Sequence, residues 1–387
     1  MKFLLEKGKN NINDINLKYI DKNRIIIFKN NNNVLSYKKK EIDNEEIQKC
    51  WDKMKKIGNP YELIYTSYNK KRKNDSISLY SPISRSYFKL WEIFYNFNLF
   101  ENFKSDVNFV HLAEGPGGFM EASINYCKKY NIKNCKYWGI TLKPNDEYVP
   151  DWNKLKKIFK KDNNCFIEYG DLYIYDDVKK FIDKTKKCNI VTADGGFDYS
   201  SDFNGQELNS SRIIYSEIVV SINILCKGGH FIIKFFDLFS LNSIQLLQLL
   251  NSSFDKVYIY KPETSRPANS EKYIICLNFL DNLSIQIKEK LLLNIRNWTN
   301  MINEDKYIIF DNFKIDNILV RNICDFNDQY SDYQIKSIDY IINIIKNKLS
   351  KTEYHETLKQ QVFKAIDWCN KYDISINENS IYYKKNN

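Results

Sequence analysis

From residue 107 to 280 the sequence alternates between two kinds of apolar segment, and this constrains the fold more than any other feature. VNFVHLAE (107–114), KYWGITL (136–142), NCFIEYG (164–170), NIVTAD (189–194) and GHFIIKFF (229–236) have the length of buried strands. FMEASINYCKKY (119–130), SSRIIYSEIVVSINILCK (210–227) and SLNSIQLLQLLNSS (240–253) have helical length and spacing. This order predicts an α/β fold, a largely parallel sheet with helices on both faces. KVYIYK (256–261) and EKYIICLNF (271–279) follow each other closely, which predicts an antiparallel pair at the sheet edge.

The flanks read differently. Residues 1–75 form an N-terminal extension, in which NRIIIFKN and NNNVLSYKKK predict two short strands around an asparagine turn at Asn30–Asn33. YNKKRKNDS (68–76) reads as a basic exposed loop. Residues 76–280 form the α/β domain. Beyond 281 the patterns SIQIKEKLLLNIRNWTNMI, SIDYIINIIKNKLS and YHETLKQQVFKAIDWCNKY predict a mainly helical region to residue 387.

Bulk composition narrows the class. Lys and Arg exceed Asp and Glu by 58 to 48, which favours a polyanionic partner, discounted for a chain rich in Asn, Ile and Lys. None of the nine cysteines forms a CxxC pair, and the three histidines are far apart, so neither a disulfide framework nor a zinc site is expected. No apolar run is long enough for a signal peptide or a membrane span, and an intracellular protein is expected.

Two ends of the predicted sheet carry chemistry. After the first core strand comes Glu114-Gly115-Pro116-Gly117-Gly118-Phe119. Glycines there let a ligand approach the backbone at the carboxyl ends of the strands. The pattern is not GxGxxG; it suits a methyl-donor nucleoside better than a pyrophosphate. Asp171, after EYG, is read either as a ligand of adenine or ribose or as a helix cap. Asp194 ends the NIVTAD strand and points into the same crevice. Lys234 interrupts the apolar run FIIKFF, where a lysine is costly unless paired or functional. Desolvation and nearby cations lower its pKa, a carboxylate raises it, and either way it is a candidate general base. Glu271 opens the last strand and Lys89 lies on the helix before the first.

Lys89, Asp194, Lys234 and Glu271 resemble the Lys-Asp-Lys-Glu tetrad of the FtsJ-like ribose 2'-O-methyltransferases. LAEGPGGF, GITLK, ADGGFD, GQE, GGHFIIKFFDLF and KPETSRPANSEKYIIC extend the resemblance to the cap-1 mRNA enzymes of eukaryotes and large DNA viruses, in order, over about residues 80–280. The resemblance implies a Rossmann-like seven-stranded methyltransferase sheet and S-adenosylmethionine bound at Glu114–Phe119, Asp171 and Asp194. It implies capped mRNA as substrate and methylation of the first transcribed ribose. Lys234 would act as base, Asp194 and Glu271 would hold its charge and orientation, and no metal would be needed. Glu207 matches a position associated with the cap guanine. Arg85, Ser265 and Arg266 are further candidates for RNA contacts, with Arg266 also read as a purely structural hydrogen-bond donor. Tyr87 and Tyr199 are candidate stacking residues.

Three alternatives stay open: methylation of the second nucleotide, methylation of a ribosomal RNA ribose, and a catalytically inactive cap- or RNA-binding subunit. The C-terminal helices are read either as a surface for a capping-machinery protein or as a cover for the core. A viral origin would place the protein in host cytoplasm, and in the virion if packaged.

Overall fold

The computed structural model describes residues 1–8, 12, 15–21, 25–66, 75–101, 103–143, 150, 152–159, 164–185, 187–196, 202–299, 306–311 and 313–384. Its strands are β1 (Lys2–Leu5), β2 (Leu17–Asp21), β3 (Asn108–Leu112), β4 (Lys136–Thr141), β5 (Cys165–Tyr169), β6 (Cys188–Ala193), β7 (Leu225–Phe235), β8 (Phe254–Tyr260), β9 (Lys272–Phe279) and β10 (Lys306–Phe310). Eight of them form one sheet in the order β1-β8-β9-β7-β6-β3-β4-β5. The run β7-β6-β3-β4-β5 is parallel, and β9, β8 and β1 add antiparallel neighbours.

The α/β reading therefore holds, with one strand more than expected. β8 and β9 pair antiparallel, but β8 is not the edge, because β1 pairs with it from Lys2↔Tyr260 to Leu5↔Val257. β2 and β10 form a separate two-stranded sheet.

Side chains alternate across each strand, so odd and even positions serve different faces. On β7, Phe231, Ile233 and Phe235 enter the apolar core on one face. Ile232 enters the other, together with Tyr273 and Ile275 of β9 and with Phe88 and Trp91 of the 86–97 helix. Lys234, two residues beyond Ile232, thus shares the face covered by the helix that bears Lys89. Its register partner across the ladder is Tyr273.

The Asn30–Asn33 turn is corrected by the structure: Lys29–Lys40 is a helix. Asparagine is a weak helix former, but Leu35 and Lys39, one turn apart, are both buried, and tertiary burial outweighs propensity. Ile26, expected in a strand, makes only an isolated bridge to Ser240. A second helix, Glu45–Ile57, is capped by the Asn44 side chain. Leu35, Ile42, Ile47 and Trp51 of this region pack with Ile338, Ile341 and Ile342 of the long Asn317–Asn347 helix. The two flanks therefore meet each other, and they meet Phe239 just beyond β7.

Candidate active site

The chain reverses its winding between β3 and β6, which places a crevice outside their carboxyl ends. The glycine turn follows β3 and Asp194 follows β6. Gly117 sits at φ +105°, a left-handed conformation that side chains disfavour, and it caps the Gly118–Lys129 helix.

The tetrad assembles as two ion pairs. Lys89 Nζ lies 2.7 Å from Glu271 Oε1 and 2.8 Å from Oε2. Lys234 Nζ lies 3.2 Å from Asp194 Oδ1 and donates to the Asp194 carbonyl at 2.7 Å. Tyr273 donates its hydroxyl to the same Asp194 oxygen at 2.9 Å. A Cβ at Gly196 would come within 2.9 Å of Lys234 Nζ, so the missing side chain keeps the approach to the amine open.

Burial opposes the charge of Lys234, but Asp194 and Glu271 outweigh it and raise its pKa above the ordinary lysine value. Burial likewise opposes the charge of Glu271, yet Lys89, Lys261 and Lys234 hold its carboxyl well below the usual range. The cluster in this state is thus two charged pairs. Beneath it, burial pushes the Glu114 and Glu217 carboxyls well up. Glu217 accepts from Gly195 N at 3.1 Å, which fixes the backbone next to Asp194.

The cofactor candidates divide. Gly115, Pro116, Gly117 and Gly118 form the turn itself, whereas Glu114 and Phe119 turn inward. Glu114 accepts from Thr192 and contacts His111 Nδ1 at 3.0 Å, and burial pushes His111 down to about 3, so it is neutral. Phe119 is fully buried against Tyr273. Asp171 Oδ1 accepts from Tyr173 N at 2.8 Å, which makes it a turn cap as well as a candidate ligand. Asp171 follows β5 and Asp194 follows β6, strand ends separated by β3 and β4, so the two carboxylates stand on either side of the glycine turn, acceptors that suit the hydroxyls and amines of a nucleoside such as S-adenosylmethionine.

The candidate RNA contacts are committed elsewhere. Arg85 donates to the carbonyls of Tyr61, Glu62, Tyr65 and Thr264. Arg266 makes a two-pronged pair with Glu62, Nε to Oε2 at 3.1 Å and Nη2 to Oε1 at 2.9 Å. Ser265 donates to Glu271 Oε1 at 2.8 Å. Glu207 is buried and accepts from Phe239 N, Ser240 N and Ser243 Oγ at the start of the Leu241–Ser253 helix. Their side chains therefore position the site's backbone. Tyr87 is a core residue stacked on Trp91, and Tyr199 lies outside the described residues.

Several positioning residues carried no sequence signal. Lys261 is buried and donates to the carbonyls of Asn269 at 2.7 Å and Glu271 at 2.6 Å, closing the base of the 262–271 loop. Glu92, also fully buried, accepts from Tyr260, from the backbone of Glu263 and Thr264, and from Trp368. Asp237 takes Lys39 Nζ at 2.6 Å and Ser270 Oγ at 3.1 Å. Lys234 and Glu271 open into a cavity of about 260 Å³ whose far wall comes from the flanks, through Lys39, Ile42, Trp51, Lys55 and Gln334.

Residues 82–279 match the model of the FtsJ-like methyltransferase family. The chain is 30% identical over 294 residues to the cap-specific mRNA (nucleoside-2'-O-)-methyltransferase 1 of Mus musculus, covering 68% of this chain and 33% of that protein. The Homo sapiens protein of the same name is 30% identical over 277 residues, 65% of this chain and 31% of its own length. The cap-specific mRNA (nucleoside-2'-O-)-methyltransferase 2 of Drosophila melanogaster is 32% identical over 244 residues, 57% of this chain and 34% of its own. The chain thus spans about a third of the length of these curated relatives.

Proposed function

The chain belongs to the FtsJ-like methyltransferase family, and on that premise we propose that it methylates the ribose 2'-oxygen of the first transcribed nucleotide of capped mRNA. The observation that carries this reading is the pairing of Lys234 with Asp194 and of Lys89 with Glu271, with Lys234 and Glu271 lining one cavity. The names of the relatives supply the substrate class.

When bound, S-adenosylmethionine supplies a methyl carbon on a sulfonium, with a neutral thioether as leaving group. The residues of this chain then have two tasks, orientation and proton removal. Gly115–Gly118 would present their backbone to the cofactor, and Asp171 and Asp194 would flank it. Lys234 takes the proton of the 2'-hydroxyl as that oxygen bonds to the methyl carbon. Because Asp194 and Glu271 favour the ammonium form, Lys234 must first lose a proton. Lys89 and Ser265 hold Glu271, and Tyr273 holds Asp194.

The test is methyl transfer from labelled S-adenosylmethionine to short RNAs ending in m7GpppA, m7GpppG, GpppA or a triphosphate, with nuclease digestion to place the methyl. Label on the first ribose, dependent on the cap and lowered about a thousandfold by Lys234→Ala, is the expected result. Enzymes named 1 and 2 match at similar identity, so label on the second ribose would move the reading to that position. Folded, RNA-binding protein that transfers no methyl would leave a binding subunit.

A further inference from the structure

The C-terminal flank carries an open groove apart from the candidate active site. The Lys351–Lys371 helix buries Val362, Ala365 and Trp368 in the core. Elsewhere it meets the end of the Glu45–Ile57 helix and the Asn317–Asn347 helix, and the three border a groove of about 440 Å³, larger than the cavity at Lys234. No residue lines both.

The groove is fastened from within. Gln361 Nε2 donates to the carbonyls of Lys56 and Ile57 at 3.0 Å and of Asn59 at 2.7 Å, which ties the end of one helix to the next. A Cβ at Gly58 would stand 2.7 Å from Ile341, so the glycine lets the chain close on the Asn317–Asn347 helix. A groove held this way needs little ordering when a ligand binds.

What it shows to solvent is apolar and basic. Phe363 is 62% exposed, the most exposed phenylalanine among the described residues, and Tyr340 is 47% exposed. Ile57 and Pro60 line the same groove. Apolar side chains gathered at one open groove mark a contact surface. Lys359 and Lys364 belong to the lining and no carboxylate does; Glu356 and Asp367, on the same helix, lie outside it. Among the described residues neither lysine has an ion pair, whereas Lys371 on that helix meets Glu263. Two unmatched ammonium groups beside an apolar cleft select an acidic partner. A cleft between helices takes the bulky side chains of an amphipathic segment. A nucleic acid would ask for a continuous basic track, and two lysines do not make one.

We propose that this groove docks a protein partner through an acidic segment, whose aromatic or leucine side chain enters beside Phe363 and whose carboxylates meet Lys359 and Lys364. The surface lies outside the 82–279 segment that matches the family, and it does not depend on the proposed reaction.

The experiment pans a displayed library of short random peptides on the full-length chain and, in parallel, on Phe363→Ala. Phe363 is exposed, so the variant should keep the wild-type thermal transition. Peptides enriched on wild type alone are expected to carry net negative charge and a Phe, Trp or Leu. The best of them, synthesised, should bind about tenfold more weakly to Phe363→Ala, and as much more weakly to Lys359→Glu combined with Lys364→Glu. Added salt should weaken it further. Enrichment that is equal on both proteins, peptides that are neutral or basic, or no enrichment at all would each overturn the proposal. So would affinity for short RNAs, or a dimer of this chain in sedimentation, that falls with Phe363→Ala, since either would give the groove a different occupant.

Discussion

The 82–279 segment and the flanks around it meet the same cavity in different ways. The segment supplies paired charges, Lys234 with Asp194 and Lys89 with Glu271, and Lys234 and Glu271 line the cavity. Where the flanks meet it, buried polar groups are spent on grip: Lys39 on Asp237, Glu62 on Arg266, Tyr330 and Gln334 on the carbonyls of Asn269 and Ala268. The boundary is built partly from ions, and a buried ion that loses its partner is far more costly than a lost apolar contact.

The largest test of that contrast is Asp237→Ala. Asp237 faces Lys39 at 2.6 Å and Lys272 at 3.9 Å, and all three are buried. Burial already lowers Lys272 to about 8 with the aspartate in place. Removing it leaves two amines without a counter-charge, at an expected cost of about 3–5 kcal/mol in denaturant unfolding. Lys39→Met combined with Asp237→Leu should recover the share due to Lys39 and leave the share due to Lys272. A cost below about 1 kcal/mol for Asp237→Ala would show that the apolar cluster around Trp51 and Ile338 docks the flanks alone.

Arg266→Lys should act on rate more than on stability. Its guanidinium grips both oxygens of Glu62, a geometry an ammonium cannot reproduce. The loop it holds ends at Glu271, so a small displacement reaches the reaction site. We expect kcat to fall about tenfold with little change in KM for RNA. An unchanged kcat would mean that Lys261, Tyr330 and Gln334 hold the loop without Arg266.

These residues also mark how far the sequence could be read. β3 to β9 were legible because each is a short apolar run between turn or helix signals. Lys234 was legible because an ionisable residue inside such a run needs a reason. β1 was not, because its four residues become a strand only by pairing with β8, more than 250 positions away. Glu207 was a candidate through the family resemblance, Arg85 through its place one helical turn before Lys89, and Arg266 through its loop. Only their partners show that they brace it, and Glu62, in the plain stretch PYELIY, gave no hint. Gln334 left a faint trace. It interrupts the stripe Ile323, Phe326, Tyr330 and Ile338, where a polar residue on a buried helix face calls for a partner.

The smallest expected effect sets the two regions against each other by pH. Burial pushes the core carboxyls Glu114 and Glu217 well above the ordinary 4.5. What they add to stability is fully present below 4.5 and lost as pH rises through their raised values. At the boundary the balance reverses. Burial opposes the charge of Glu62 and of Asp237, but Arg85 and Arg266 lower the first from 4.5, and Lys39 and Lys272 lower the second from 3.8. Their contribution is present above those ordinary values and lost as pH falls through the lowered ones. Acid should therefore loosen the flanks while the core carboxyls keep their protons. Hydrogen exchange, corrected for intrinsic rates, should show the 45–57 and 317–347 helices losing protection before β3, β6 and β7 as pH drops below about 4. Simultaneous loss in both regions would mean that the boundary ions do not set the order, and that flank and sheet unfold as one cooperative unit.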